Sequence, residues 1–324
     1  MKKILLFILL ILLIGCKEMV KDVQIDGVNL QNISSTQHTV NNQTFEIIPY
    51  YEPYLNFIIE QQSRTGGRTR GDIFFNTVIE PLGQEINTNP DDLLSTYSLF
   101  LTPNNTRKLN DTIKQLDNQH NEIISYLKKA IEDTTNLLTS ANEIKIFLLP
   151  FNPDINSVDM DGVTGFVTHD GATIVLQIDP AIYTEESIKW TFAHEYHHAV
   201  YIETSDYKIR RHHLFDRVIM EGKADAFTKI VYPEYTVPWI EPLNDDERHR
   251  VLYFLRMRRN SYNAEDIYSM HNGGAGMPQW SNYKIGFEIM QSFIENNSDI
   301  SIKEWTVMRA ESIIKNSDFK SILE

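Results

Sequence analysis

His194-Glu195-Tyr196-His197-His198 is the feature that most restricts what this chain can become. No proline interrupts the surrounding segment. Ile188, Phe192, Ala193, Ala199 and Val200 flank the polar cluster with apolar side chains, the signature of a buried helix. Residues four apart on a helix lie one turn apart on the same face. Two imidazoles so placed can reach one ion at the ~2.0–2.1 Å typical of zinc–nitrogen bonds. A polar group inside a core must find a partner. The motif therefore requires a second element opposite this helix that supplies one.

That element is legible downstream. Residues 209–231 read as a second helix, with Leu214, Phe215, Val218, Ile219 and Phe227 on its apolar side. Glu221 stands among Val218, Ile219, Met220 and Ala224, an unfavourable place for a carboxylate unless a cation coordinates it. Asp225, one turn further, can accept the spare N–H of a ligand histidine and fix its tautomer. Glu195, beside the first histidine, is placed to take a proton from a zinc-held water. His197 is three residues from His194 and could reach the same face. His198 is preferred because it leaves Glu195 in its usual relation to both ligands. The bland alternative is a surface hydrogen-bonding cluster in which Glu221 is an ordinary salt-bridge partner.

The N-terminus is a separate object. Lys2 and Lys3 precede an unbroken apolar run from Ile4 to Ile14, too short to span a bilayer but suited to a signal peptide. It ends in Leu13-Ile14-Gly15-Cys16, which resembles the lipobox of bacterial lipoproteins. Residues 1–15 are thus expected to be cleaved, with lipidated Cys16 anchoring the chain to a membrane of the bacterial cell envelope. Cys16 is the only cysteine, so no intramolecular disulfide and no thiolate ligand is possible. The net charge of −14 argues against a nucleic-acid partner, which needs a basic face.

Residues 16–44 are polar and read as a tether, and 45–140 as a helical region whose clearest segment spans Thr106 to Leu138. His120 lies near the apolar stripe of that segment and is expected to be packed. Ser63–Gly71 reads as a solvated loop. From residue 141 the pattern changes. Ile144–Leu149 is a short apolar strand, and 162–167 and 173–178 are two more, joined by a turn at His169-Asp170-Gly171. Thr184 with Glu185 and Glu186 reads as the start of the motif helix. Helices follow to the end, apart from a Gly-rich passage at 272–276. The expected class is α+β, zincin-like, mainly helical with a small sheet before the motif helix.

F-A-H-E-Y-H-H (192–198), V-I-M-E-G-K-A (218–224), P-Q-W-S-N-Y-K-I-G-F (278–287) and E-S-I-I-K-N-S-D-F (311–319) resemble the YjaZ-like family of predicted zinc-dependent proteases. The Glu-x-x-x-Asp that follows H-E-x-x-H is similar to the gluzincin arrangement. The resemblance covers roughly residues 141–320. It implies zinc on His194, His198 and Glu221, Glu195 as general base, and a peptide or protein substrate. Lys223 departs from it, standing where leucine is expected. The chain has no G-x-M-E-N stretch of gluzincin aminopeptidases, which points to internal cleavage. Tyr283 and His271, beside the Gly-rich passage, are candidate catalytic donors to a developing oxyanion. His212 and His213 read as a solvated face. Two other readings stand beside the enzyme: a zinc- or partner-binding envelope lipoprotein on an inactive zincin scaffold, and an interaction module in residues 45–140.

Overall fold

The computed structural model describes residues 30–63, 67–96, 100–141, 143–207, 211–274 and 276–324. The signal-peptide and Cys16 expectations, and the tether before residue 30, lie outside them. The fold is mixed α+β, mainly helical, around one five-stranded sheet.

The sheet comprises β1 (Thr36–Val40), β2 (Gln43–Pro49), β3 (Ile144–Pro150), β4 (Val163–Val167) and β5 (Thr173–Ile178), in the order β1-β2-β3-β5-β4. β3 is parallel to both neighbours, and the outer pairs β1–β2 and β4–β5 are antiparallel hairpins. Strands β3, β4 and β5 occupy the segments expected from sequence. Residues 36–49 do not. The end of the expected tether and the start of the expected helical region form instead the β1–β2 hairpin. Its turn is Asn41-Asn42, both at positive φ (50° and 61°), the two-residue geometry that matches strand twist. β2 then pairs with β3 from Phe45↔Ile144 to Pro49↔Leu148, so the ladder joins residues on either side of position 140.

Twelve helices surround the sheet among the described residues: α1 (Glu52–Gln62), α2 (Arg70–Phe74), α3 (Glu80–Glu85), α4 (Pro90–Thr96), α5 (Thr106–Thr135), α6 (Glu185–Thr204), α7 (Leu214–Val231), α8 (Asp245–Arg258), α9 (Ala264–Asn272), α10 (Ser281–Asn296), α11 (Ile302–Val307) and α12 (Ala310–Lys315). None is long and apolar enough to cross a membrane. α5 follows its apolar spacing. Leu109, Ile113, Leu116, Ile123, Leu127 and Ile131 are all buried, and Asn105 caps its first turn. His120 is packed as expected, edge-on to Tyr51. Thr69, at the end of the expected Ser63–Gly71 loop, caps α2 through a reciprocal box with Asp72.

The two faces of the sheet have different neighbours. Phe147 and Phe166 on one face meet Tyr50 and Phe100. On the other, Phe45 packs against Phe192 and Tyr196 of α6. Gly165 of β4 shares that second face. A Cβ built on it would lie 2.9 Å from Cγ of Glu195. α6 starts where the sequence indicates, with Thr184 and Ser187 in a reciprocal capping box. α7 starts later than residue 209. His213 caps it, its ring nitrogen accepting from the Asp216 amide.

Candidate metal centre

α6 and α7 lie side by side, and α10 crosses α7 closely. A Cβ on Gly222 would fall 2.2 Å from the Gly286 carbonyl, and one on Gly286 2.3 Å from the Val218 carbonyl oxygen. Only glycine at both positions allows this approach. It brings the first turn of α10 up to the middle of α7, where Glu221 sits.

Across the α6–α7 seam three side chains converge. Nε2 of His194 and Nε2 of His198 are 3.0 Å apart. Oε2 of Glu221 is 3.2 Å from the first and 3.1 Å from the second. Two imidazole nitrogens this close repel through their lone pairs unless a proton or a cation lies between them. Four-coordinate bonds of ~2.0–2.1 Å place ligand atoms about 3.3–3.4 Å apart, so this triangle needs little adjustment to share one zinc ion. Two histidines and one glutamate are also a donor set that leaves a position open. The residues fit the metal.

The neighbours of the triangle agree. His194 Nδ1 is 3.0 Å from Oδ1 of Asp225, which has no exposed surface. That contact holds the proton on Nδ1 and turns the Nε2 lone pair inward. Burial pushes the Asp225 carboxyl up, and the His194 imidazole opposes it. Burial also disfavours a charged His194. The carboxylates of Asp225, Glu221 and Glu195 outweigh that and hold it well above its usual range. Burial opposes ionisation of Glu221, yet the two imidazoles, His198 foremost, hold its carboxyl far below the usual range. Replacing Asp225 by alanine is expected to weaken zinc affinity by ~10–100-fold in a chelator competition. Unchanged affinity would remove Asp225 from the site.

Glu195 is 6% exposed and makes no hydrogen bond with the described residues. Burial raises its pKa, with His194 and His198 pulling it down and Glu221 and Asp225 adding to the rise. It is a carboxyl poised to hold a proton, with no described residue hydrogen-bonded to its oxygens.

The ambiguity between His197 and His198 resolves geometrically. His197 turns the other way, fully buried, stacked on Trp305 (ring centroids 5.5 Å apart) and close to Phe227 (5.4 Å). Its Nε2 donates to the Thr306 hydroxyl. Burial pushes its pKa far down, with His198 and Lys223 adding, so it is a neutral core residue. Lys223 is buried as well. Its ammonium donates to the Thr306 and Met308 carbonyls and lies over the Tyr201 ring. A cation at the C-terminal end of α11 is favoured by the helix dipole, and this explains a lysine where an apolar residue is expected.

Tyr283 lies beside the centre, and His271 lies beside Tyr283. The Tyr283 ring is 6.0 Å from that of His194, and His271 is 5.6 Å from Tyr283. Burial, with Glu221, Asp225 and Glu195 adding, holds the Tyr283 phenol well above its usual pKa, so it remains a donor at neutral pH. Burial lowers the His271 pKa, with Glu221 opposing. His212 and His213 are not a solvated face. His212 stacks on Tyr207 at 4.0 Å and His213 caps α7.

Gly165, Tyr207 and Arg217 carry little signal in the sequence. A lone glycine inside a strand was the available sign of a close approach. Arg217, four residues before Glu221, shares its face of α7.

A largely buried His-His-Glu triangle on two facing helices, with the Glu195 carboxyl alongside, defines a candidate metal centre. Residues 123–315 match the family described as "Predicted Zn-dependent protease (DUF2268)", and the chain belongs to that family. It is also 26% identical over 190 residues to the uncharacterized protein YjfC of Bacillus subtilis (strain 168), a match covering 55% of this chain and 62% of the relative. The match therefore spans less than two thirds of that relative's length. No solved structure matches the chain.

Proposed function

We propose that this chain is a zinc-dependent peptidase on a zincin-like scaffold, cleaving peptide bonds within a peptide or protein. The observation that carries the reading is the triangle of His194, His198 and Glu221 with Glu195 unbonded beside it. Zinc bound there supplies Lewis acidity, which acidifies a water and polarises a scissile carbonyl. Glu195 takes the proton from the attacking water and passes it to the leaving amine. Asp225 keeps His194 in the tautomer that faces the ion. The Tyr283 hydroxyl and His271 act as donors where negative charge develops on the substrate oxygen.

A bare metal-binding scaffold has no need of an acid at position 195, least of all one whose burial must be compensated. In the full chain we expect about one zinc per chain, cleavage of a peptide library, loss of cleavage with a chelator and recovery when zinc is restored. Cleavage indifferent to chelation would exclude the reading.

We further propose that Cys16 carries lipid and holds the enzyme at the cell envelope, on the strength of the Leu13–Cys16 pattern. Labelled palmitate should enter the wild type and not Cys16→Ser; equal labelling of both removes the anchor.

A further inference from the structure

A cavity of about 610 Å³ opens between the β4–β5 turn and the first turns of α7, the helix that carries Glu221. His169 and Asp170 line it from the turn, Tyr207 from just past α6, and Arg211, Arg217 and Tyr262 from the other side. Its lining holds none of the centre's own residues, and the link between the two runs along α7. Arg217 lies one helical turn before Glu221, a rise of ~6 Å and so about two residues of an extended peptide. Burial pushes the Tyr207 phenol up, with Arg217 opposing and Glu221 adding, so both lie within electrostatic range of it. On the other wall, Gly171 packs close to the Ala199 carbonyl, one residue past His198: a Cβ there would sit 2.9 Å from that oxygen.

The charge on this cavity is unusual for a chain of net charge −14. Among the described residues, the Arg217 guanidinium has no hydrogen bond and no carboxylate partner. Arg211 stacks on the Tyr262 ring at 4.6 Å and likewise pairs with no carboxylate. The one acid in the lining, Asp170, already accepts from the Thr168 hydroxyl and the Ala172 amide through Oδ1. Two guanidinium groups are thus presented to a space large enough for a side chain or a chain end. Arginine's planar fork matches a carboxylate bidentately.

We propose that this cavity is a substrate subsite that binds a carboxylate of the peptide being cleaved, with Arg217 and Arg211 as the recognising groups. The proposal rests on the peptidase reading. The carboxylate can come from an acidic side chain or from a free C-terminus, and the two differ in experiment. A dodecapeptide library is cleaved by the full chain, and the best sequences are resynthesised in matched pairs: Glu against Gln at each position, and free acid against amide at the C-terminus. One of the two kinds of pair should show about tenfold or greater selection for the acid in kcat/KM. Arg217→Gln should bring that ratio close to one, and Arg217→Glu should shift preference towards lysine. Both variants should melt with the wild type, because the Arg217 side chain is exposed.

No selection for either carboxylate, or a ratio unmoved by both variants, overturns the proposal. A fixed panel of fluorescein-labelled dodecapeptides, paired in the same two ways but chosen without regard to cleavage, is titrated onto Glu195→Gln and followed by anisotropy to separate the two readings. Acid-selective binding that depends on Arg217, without cleavage by the wild type, refutes the peptidase and keeps the subsite. Cleavage without acid selection does the reverse.

Discussion

Glu195→Gln is expected to lower peptide hydrolysis by ~10²–10⁴-fold while leaving bound zinc at its wild-type level. Each half of that expectation has its own physical basis. Glutamine has nearly the shape of glutamate, so the contact of the residue 195 side chain with Gly165 survives. The buried pocket is neither emptied nor crowded. What is lost is the oxygen that accepts a proton. An amide cannot take one from water at neutral pH, and the attacking and leaving steps then proceed without a base. Zinc should remain because the atoms that converge belong to His194, His198 and Glu221, and residue 195 is not among them. The check is a pair of measurements on one preparation, metal content and kcat/KM. Full activity in a zinc-replete variant would assign the base elsewhere. Loss of zinc along with activity would mean that residue 195 holds the ion or the helix, and not the proton.

The sequence was most informative where burial and period coincide. α5, β3 and β5 could be placed from apolar spacing because Leu, Ile, Val and Phe dominate their buried positions, whereas α6 was marked by its H-E-x-x-H motif and the Thr184 start. The β1–β2 hairpin escaped notice because Thr36, Gln37, His38 and Thr39 look like a tether. An edge strand buries only alternate residues, and its backbone ladder leaves no trace in hydropathy. The Asn41-Asn42 pair was the one local sign of a turn. At the centre, spacing suggested His194, His198 and Glu221, and the relation of Glu195 to both ligands favoured His198 over His197, although three and four residues reach the same face. Geometry settles that choice through Trp305 and Thr306, remote in sequence, which claim His197 for the core. The cavity lined by Arg217 was hidden for the same reason: its walls come from a strand turn, a helix exit and a helix start.

Gly222→Ala is expected to destabilise the fold by roughly 3 kcal/mol or more, and with it the metal site. The added methyl has nowhere to go. Its nearest atoms are the backbone carbon and oxygen of Gly286 at 2.2 Å, and no side-chain rotation relieves a clash with main chain. α10 must move away from α7, which opens the core around Ile285, Ile289 and Val218. Because Glu221 precedes Gly222 and Tyr283 lies one turn before Gly286, the same displacement loosens both sides of the centre. Gly67→Ala is the control, since nothing lies within 4 Å of a Cβ at that position. Thermal unfolding should drop by on the order of 5 °C or more for Gly222→Ala and barely change for Gly67→Ala. Zinc affinity, measured by chelator competition below the transition, should fall only in the first. If Gly222→Ala melts with the wild type and binds zinc as tightly, the close crossing of α7 and α10 does not set the position of Glu221.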